Sequence, residues 1–182
     1  MGREFESRYA WIPNENVTQP DGFFISQNSA FGVELKLAST SWPEQIAKYV
    51  ALMVWEEMKT HRRTHLGLLF IVPESAIEKH WSKVGLNGPA ITGNFLDALD
   101  QKKLPDAIGR LFDHHKDHVV AVLEKLKLQV ISWATFREEI GKIQNELDGT
   151  RLGDQTLNRL LAGLGAQIDA HEGTGIPKRA AS

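Results

Sequence analysis

Cysteine is absent from this chain, which excludes disulfides and thiolate-bound metal centres and suits a reducing, cytoplasmic setting. Long apolar runs are missing as well. No stretch approaches the roughly 18 residues that a membrane-spanning helix needs. The opening Met1-Gly2-Arg3-Glu4-Phe5-Glu6 is too polar for a secretory leader. Neither sign of charge is in excess, since 21 Lys+Arg stand against 23 Asp+Glu, a formal net charge of −2. A globally basic nucleic-acid-binding surface is thereby excluded, while a local basic stripe is not. Gly-x-Gly-x-x-Gly, the P-loop and Gly-x-Ser-x-Gly are all missing, so nucleotide-dependent and serine-hydrolase chemistries have no motif to rest on.

What remains is the composition of a soluble globular protein, 42% hydrophobic and 24% charged over 182 residues. That length supports one continuous core. The expectation is a single domain over residues 1–170 followed by a flexible tail over 171–182, where Gly173-Thr174-Gly175-Ile176-Pro177 begins a run without periodicity.

Along the chain, Arg8 to Pro13 reads as a short strand. Phe23-Phe24-Ile25 and Phe31 to Leu37 flank Gln27-Asn28-Ser29, a hairpin signal. In the second run Val33, Leu35 and Leu37 alternate with Glu34 and Lys36, so the charged pair shares one face and the aliphatics the other. Ser41-Trp42-Pro43-Glu44 starts a helix, capped by Ser41 or Trp42, that runs to about Lys59. Leu66 to Val72 is almost unbroken apolar sequence, as expected of a strand buried on both faces. Further helices are predicted over 74–84, over 104–126 with a break near the histidines, over 135–147 with Thr135 or Ala134 at the cap, and over 156–168. Gln129 to Trp133 reads as another strand. This order implies an α/β sandwich around a mixed sheet.

The chemistry concentrates at Asp21, Glu34 and Lys36. If the hairpin turns on Asn28-Ser29, Asp21 lies opposite Lys36, with Glu34 its diagonal neighbour roughly 7–8 Å away. Two carboxylates at that separation can share a Mg²⁺ ion, which prefers hard oxygen ligands and retains waters, one of them a potential nucleophile. A lysine beside them can orient that water, accept its proton or offset charge on a phosphate. The Leu35 carbonyl, between Glu34 and Lys36, is a further candidate ligand. The same residues also suit an ordinary hairpin, in which Pro-Asp-Gly makes a turn and Glu-x-Lys occupies the wet face.

Pro20-Asp21, Glu34-Leu35-Lys36, the 41–59 helix with Gln45 and the 66–72 strand follow one another in an order that resembles the PD-(D/E)XK nuclease superfamily. Gln45 and Tyr49 match the Gln-x-x-x-Tyr pattern of the branch containing recombination exonucleases, and their spacing of four puts them on one helix face. The resemblance covers roughly residues 4–75, with Val130 to Phe136 similar to the late strand and turn of that fold. It implies a restriction-endonuclease-like three-layer sandwich with a mixed central β-sheet flanked by helices. It also implies metal-dependent hydrolysis of DNA phosphodiester bonds, as in endonucleases of restriction, repair or recombination type. Asp21, Glu34 and the Leu35 carbonyl would then hold Mg²⁺, for which Mn²⁺ can substitute. Lys36 would serve the nucleophile, Gln45 would steady the water or the lysine, and Tyr49 would support them. Family members carry another acid on a helix before the first core strand. Here Glu6 is the nearest match, ahead of Glu4, while Glu15 falls nearer a loop.

Other features carry less. Lys59, Arg62 and Arg63 form the densest positive stretch and are candidate phosphate contacts, although cations also favour a helix C-terminus for dipole reasons alone. Asp113-His114-His115-Lys116-Asp117-His118 looks metal-binding, but without further converging ligands it reads as a polar helix end. The expected partner is DNA, and cutting both strands calls for two sites, which a homodimer would supply. The competing reading is a non-catalytic module that binds nucleic acid or protein on a degenerate PD-(D/E)XK scaffold. RNA is a third, lesser alternative as substrate.

Overall fold

The computed structural model describes residues 20–37, 41–60, 64–83, 95 and 104–176. Within them, strand β1 (Gly22–Ile25) and strand β2 (Ser29–Leu35) form a hairpin. Helix α1 (Pro43–Thr60) leads into strand β3 (His65–Val72), and a 3-10 turn (Glu74–Ala76) runs into helix α2 (Ile77–Lys83). Helices α3 (Asp106–His114) and α4 (Lys116–Lys125) precede strand β4 (Leu126–Ser132). Helices α5 (Trp133–Glu146) and α6 (Leu152–Ala170) follow, with a last 3-10 turn (Glu172–Thr174).

The four strands form one mixed sheet in the order β1-β2-β3-β4. Strands β2, β3 and β4 are parallel, and β1 is an antiparallel edge. The unbroken apolar run predicted a strand covered on both sides, and β3 is that strand: Leu68, Phe70 and Ile71 are all fully buried. One core fills the side of the sheet that faces α1, α3 and α4, built on Ile46, Val50, Leu68, Phe70, Ile108 and Val122. A second, smaller core lies on the other face, where Ile71 meets Trp133, Ile140 and Ile168 of α5 and α6. Helices on both faces of a parallel sheet are what hydrophobic strands of this kind require. The structure is therefore α/β, with a mixed central sheet between helices.

The hairpin register differs from the expected one. Ser26 donates its N–H to the Ser29 carbonyl at 2.9 Å, and Ser29 donates to Ser26 Oγ at 3.1 Å, so the turn is Gln27-Asn28. Gly22 then pairs with Val33. One step further along, Asp21 comes alongside Glu34 rather than Lys36. The serine side chain decides the register by closing the turn itself, a short-range competition that hydrophobic periodicity does not encode. The turn is also anchored from outside, because the Asn28 carbonyl accepts N–H groups from Thr64 and His65 at 3.0 and 3.1 Å.

Two further boundaries need correction. The cap of α5 is Ser132, whose hydroxyl accepts the Thr135 N–H at 3.1 Å, rather than Ala134 or Thr135. The expected start of the tail is folded: Thr174 is buried, and its hydroxyl donates to the His171 carbonyl at 2.8 Å. Residues 177–182 lie outside the described residues. Helix α1 begins at Pro43 with the Trp42 carbonyl accepting from Gln45, so Trp42 takes the cap position and Ser41 is left buried beside it. The expected break among the histidines falls at His115, between α3 and α4. The strand predicted over Arg8–Pro13 lies outside the described residues.

Gly67 shows why a glycine sits in the middle of β3. It pairs with Phe31, whose ring lies across it, and a Cβ added at Gly67 would stand 2.5 Å from the Phe31 ring. The missing side chain leaves the aromatic ring room to lie flat on the sheet.

Candidate functional site at the carboxyl end of β2

Strand β2 is polarised in an unusual way. Its charged face is turned inward: Glu34 is 7% exposed and Lys36 9%, while Leu35 between them is 40% exposed. In an ordinary half-buried strand the aliphatics would face the core. Burying a carboxylate and an ammonium is costly unless each is paired and hydrogen-bonded, and the surroundings meet that condition.

Glu34 is held by three side chains. Lys36 Nζ donates to Oε1 at 2.6 Å, and Gln45 Nε2 donates to the same oxygen at 2.7 Å. The Tyr49 hydroxyl donates to Oε2. Gln45 and Tyr49 are one turn apart on α1, and their shared face meets the carboxyl end of β2. Lys36 has its backbone fixed as well. Its N–H donates to the Ile71 carbonyl at 2.8 Å, and its carbonyl accepts from Trp133 Nε1 at 2.8 Å.

Asp21, just before β1, lies alongside the carboxyl end of β2. Its Oδ2 accepts the Leu35 N–H at 2.7 Å, and the side chain is exposed. The Leu35 N–H thus fixes one oxygen of Asp21 and leaves the other to the surroundings. Beneath Asp21, an apolar groove of about 490 Å³ runs between the outer face of the sheet and α6, lined by Phe24, Phe31, Leu35, Leu69, Trp133 and Leu164.

Of the residues singled out in the sequence, Glu34, Lys36, Gln45 and Tyr49 are brought into one hydrogen-bonded cluster. Asp21 and Leu35 are joined to each other at its edge. Lys59 lies in the last turn of α1, while Glu6, Arg62 and Arg63 fall outside the described residues, as do Glu4 and Glu15. Among the described residues no group of three or more His, Asp or Glu converges as a metal cage, and this includes the histidines around His115. No helix among them is long and apolar enough to cross a membrane.

Two residues were missed by sequence reasoning. Trp133 clamps the Lys36 carbonyl from 97 positions away, a contact that no local pattern announces. His80, on α2, is fully buried, and neither ring nitrogen has a partner. Its ring packs 4.6 Å from Phe70, which pairs with Glu34 across the sheet and lies 6.3 Å from Tyr49. Burial, reinforced by the positive charge of Lys36, pushes the His80 pKa down to about 4. The imidazole is therefore neutral at ordinary pH.

The fold and cluster define an α/β protein with a buried acid–lysine pair at the carboxyl ends of parallel strands. The chain matches no protein-family model, and no curated protein or solved structure is detectably similar to it.

Proposed function

We propose that this protein is a metal-dependent deoxyribonuclease of restriction-endonuclease-like architecture, with its site at Asp21, Glu34, Lys36 and Gln45. The observation that carries the reading is the inverted burial of β2: an acid and a lysine are sunk against a helix at the end of a parallel strand while a leucine is left exposed. Open α/β sheets bind their ligands at the carboxyl ends of their strands. A charged pair is costly to hold there without a purpose.

The residues offer Mg²⁺ the kind of donor it prefers. Glu34 on β2 and Asp21 just before β1 would supply hard carboxylate oxygens, and the Leu35 carbonyl would supply another. Mg²⁺ sites of this class use one or two carboxylates and let water and phosphate complete the shell, so a larger cage is not required. When bound, the ion would lower the pKa of a coordinated water and polarise the phosphodiester. The chain's own residues do the remainder. Lys36 donates to the nucleophilic water or to a phosphate oxygen. Gln45 keeps the Glu34 carboxylate or that water in register. Tyr49 fixes the second Glu34 oxygen, and the Ile71 and Trp133 bonds hold the Lys36 backbone in place.

A second reading is favoured by different observations. Both Glu34 oxygens are already occupied by protein donors, and the largely apolar groove on the opposite face presents Phe24, which is 63% exposed. Those features suit a module that retains the scaffold to bind a nucleic acid or protein. Calorimetric titration with Mg²⁺ and Mn²⁺, comparing wild type with Asp21→Ala, separates the two. The nuclease binds divalent ions through Asp21, whereas the module gives no such heat.

A further inference from the structure

Resting on the nuclease reading above, we propose that His80 is a positioning residue that receives the Lys36 ammonium when Glu34 turns to a bound cation. Glu34 has two demands on it. In the structure it accepts from Lys36, Gln45 and Tyr49, and a carboxylate that begins to coordinate a cation gives up part of that acceptor capacity. Lys36 stands to lose its partner at the moment its geometry matters most. An ammonium carries three donors, and among the described residues its one side-chain bond is to Glu34.

The same wall contains the complementary deficit. His80 Nδ1 and Nε2 are both buried without a hydrogen-bond partner. A neutral imidazole has one donor and one acceptor nitrogen, and burying both unsatisfied is destabilising. Buried polar groups are ordinarily paired, so an orphan pair calls for an explanation in what the site does. The ring is fixed between Phe70 and Trp81, with ring centres 4.6 and 5.9 Å away, and Phe70 joins it to the Glu34–Tyr49 side of the cluster. Lys36 is buried on the same face as Glu34, its Nζ 2.6 Å from Glu34 Oε1. Glu34 is the strand partner of the Phe70 on which the imidazole rests, so ammonium and ring share one wall. A buried acceptor that stays neutral beside a lysine with spare donors is suited to take that lysine without adding a competing charge.

The test needs no variant at first. Wild-type protein carrying ¹⁵N-histidine is titrated with Mg²⁺ and followed by imidazole ¹⁵N chemical shift. The expected result is a shift of the His80 acceptor nitrogen toward hydrogen-bonded values, saturating with the Mg²⁺ binding isotherm. Cleavage by two variants then follows: His80→Phe keeps the packing without an acceptor, and His80→Gln keeps an acceptor. We expect His80→Phe to lose at least about tenfold in kcat with KM little changed, and His80→Gln to recover most of it. An unchanged ¹⁵N shift while Mg²⁺ binds, or full kcat in His80→Phe while Lys36→Ala is inactive, overturns the role of His80 and leaves the nuclease intact. Absence of Mg²⁺ binding and of cleavage in wild type overturns the nuclease reading, and the role of His80 with it.

Discussion

The Tyr49 hydroxyl donates to Glu34 Oε2 across the seam between α1 and β2, 15 positions apart in sequence. Tyr49 is fully buried, so this bond is made where water does not compete. It joins the helix to the strand through a charge rather than through apolar packing alone. The whole cluster depends on that junction, because Gln45 approaches the other oxygen of the same carboxylate from the preceding turn.

Removing the phenol hydroxyl tests how much the junction contributes. Tyr49→Phe keeps the ring against Phe70 and deletes one donor to a buried carboxylate. A hydrogen bond to a charged group contributes about 1.5–3 kcal/mol. A loss of that size is expected in chemical denaturation, seen as a lower midpoint with unchanged slope.

The buried pair itself gives a sharper pattern. Glu34→Leu alone leaves Lys36 beside the core with no carboxylate, and removing one partner of a buried pair costs about 3–5 kcal/mol. Adding Lys36→Met to it removes the stranded charge. The double variant is expected to be more stable than Glu34→Leu, and as stable as wild type or more so, since apolar replacements of buried pairs are often neutral or stabilising. Such an outcome in thermal melts shows that the pair is not retained for folding stability.

Acid should destabilise the protein through His80. Its folded-state pKa of about 4 lies below the ordinary value of 6.5, with burial the larger cause and the Lys36 charge the smaller. Between those values the unfolded chain binds a proton that the folded protein excludes. The stability tied to the neutral ring is therefore complete above about pH 6.5 and is lost as pH falls toward 4. The shift corresponds to about 3 kcal/mol over that window. Unfolding free energies of wild type and His80→Phe, measured at pH 7 and at pH 4.5, should show a steeper acid loss in wild type.

Much of this architecture was legible because it is periodic. The alternation of Val33, Leu35 and Leu37 with Glu34 and Lys36 was plain, as was the unbroken run that became β3. The alternation, however, does not say which face is inward. Glu34 and Lys36 turned out buried because Gln45 and Tyr49 of α1 cover them, a tertiary fact that period two leaves open. The hairpin register was missed by two residues, Asp21 facing Glu34 and not Lys36, because Ser26 closes the turn with its own side chain. Trp133 and His80 left no local signal. A lone histidine in a short helix looks like any other, and its burial comes from the ring of Phe70 on another element.

The cap of α5 offers a simpler check on how the second core is held. Ser132 ends β4 and accepts the Thr135 N–H, which sets Trp133 where its indole reaches the Lys36 carbonyl. Ser132→Ala is expected to cost about 1 kcal/mol, readable in the denaturation midpoint with the far-UV spectrum unchanged.

The central claim is that Glu34, Lys36 and Asp21 form a hydrolytic site. The most direct measurement is cleavage of supercoiled, linear, single-stranded and branched DNA with Mg²⁺ or Mn²⁺, wild type beside an identically purified Lys36→Ala protein. The expected result is cutting by wild type that needs the divalent ion and falls about 10²–10³-fold in the variant, the range for losing one donor to the charge that develops in the transition state. Equal cutting by the two proteins, or none by wild type with any of the substrates, would contradict it.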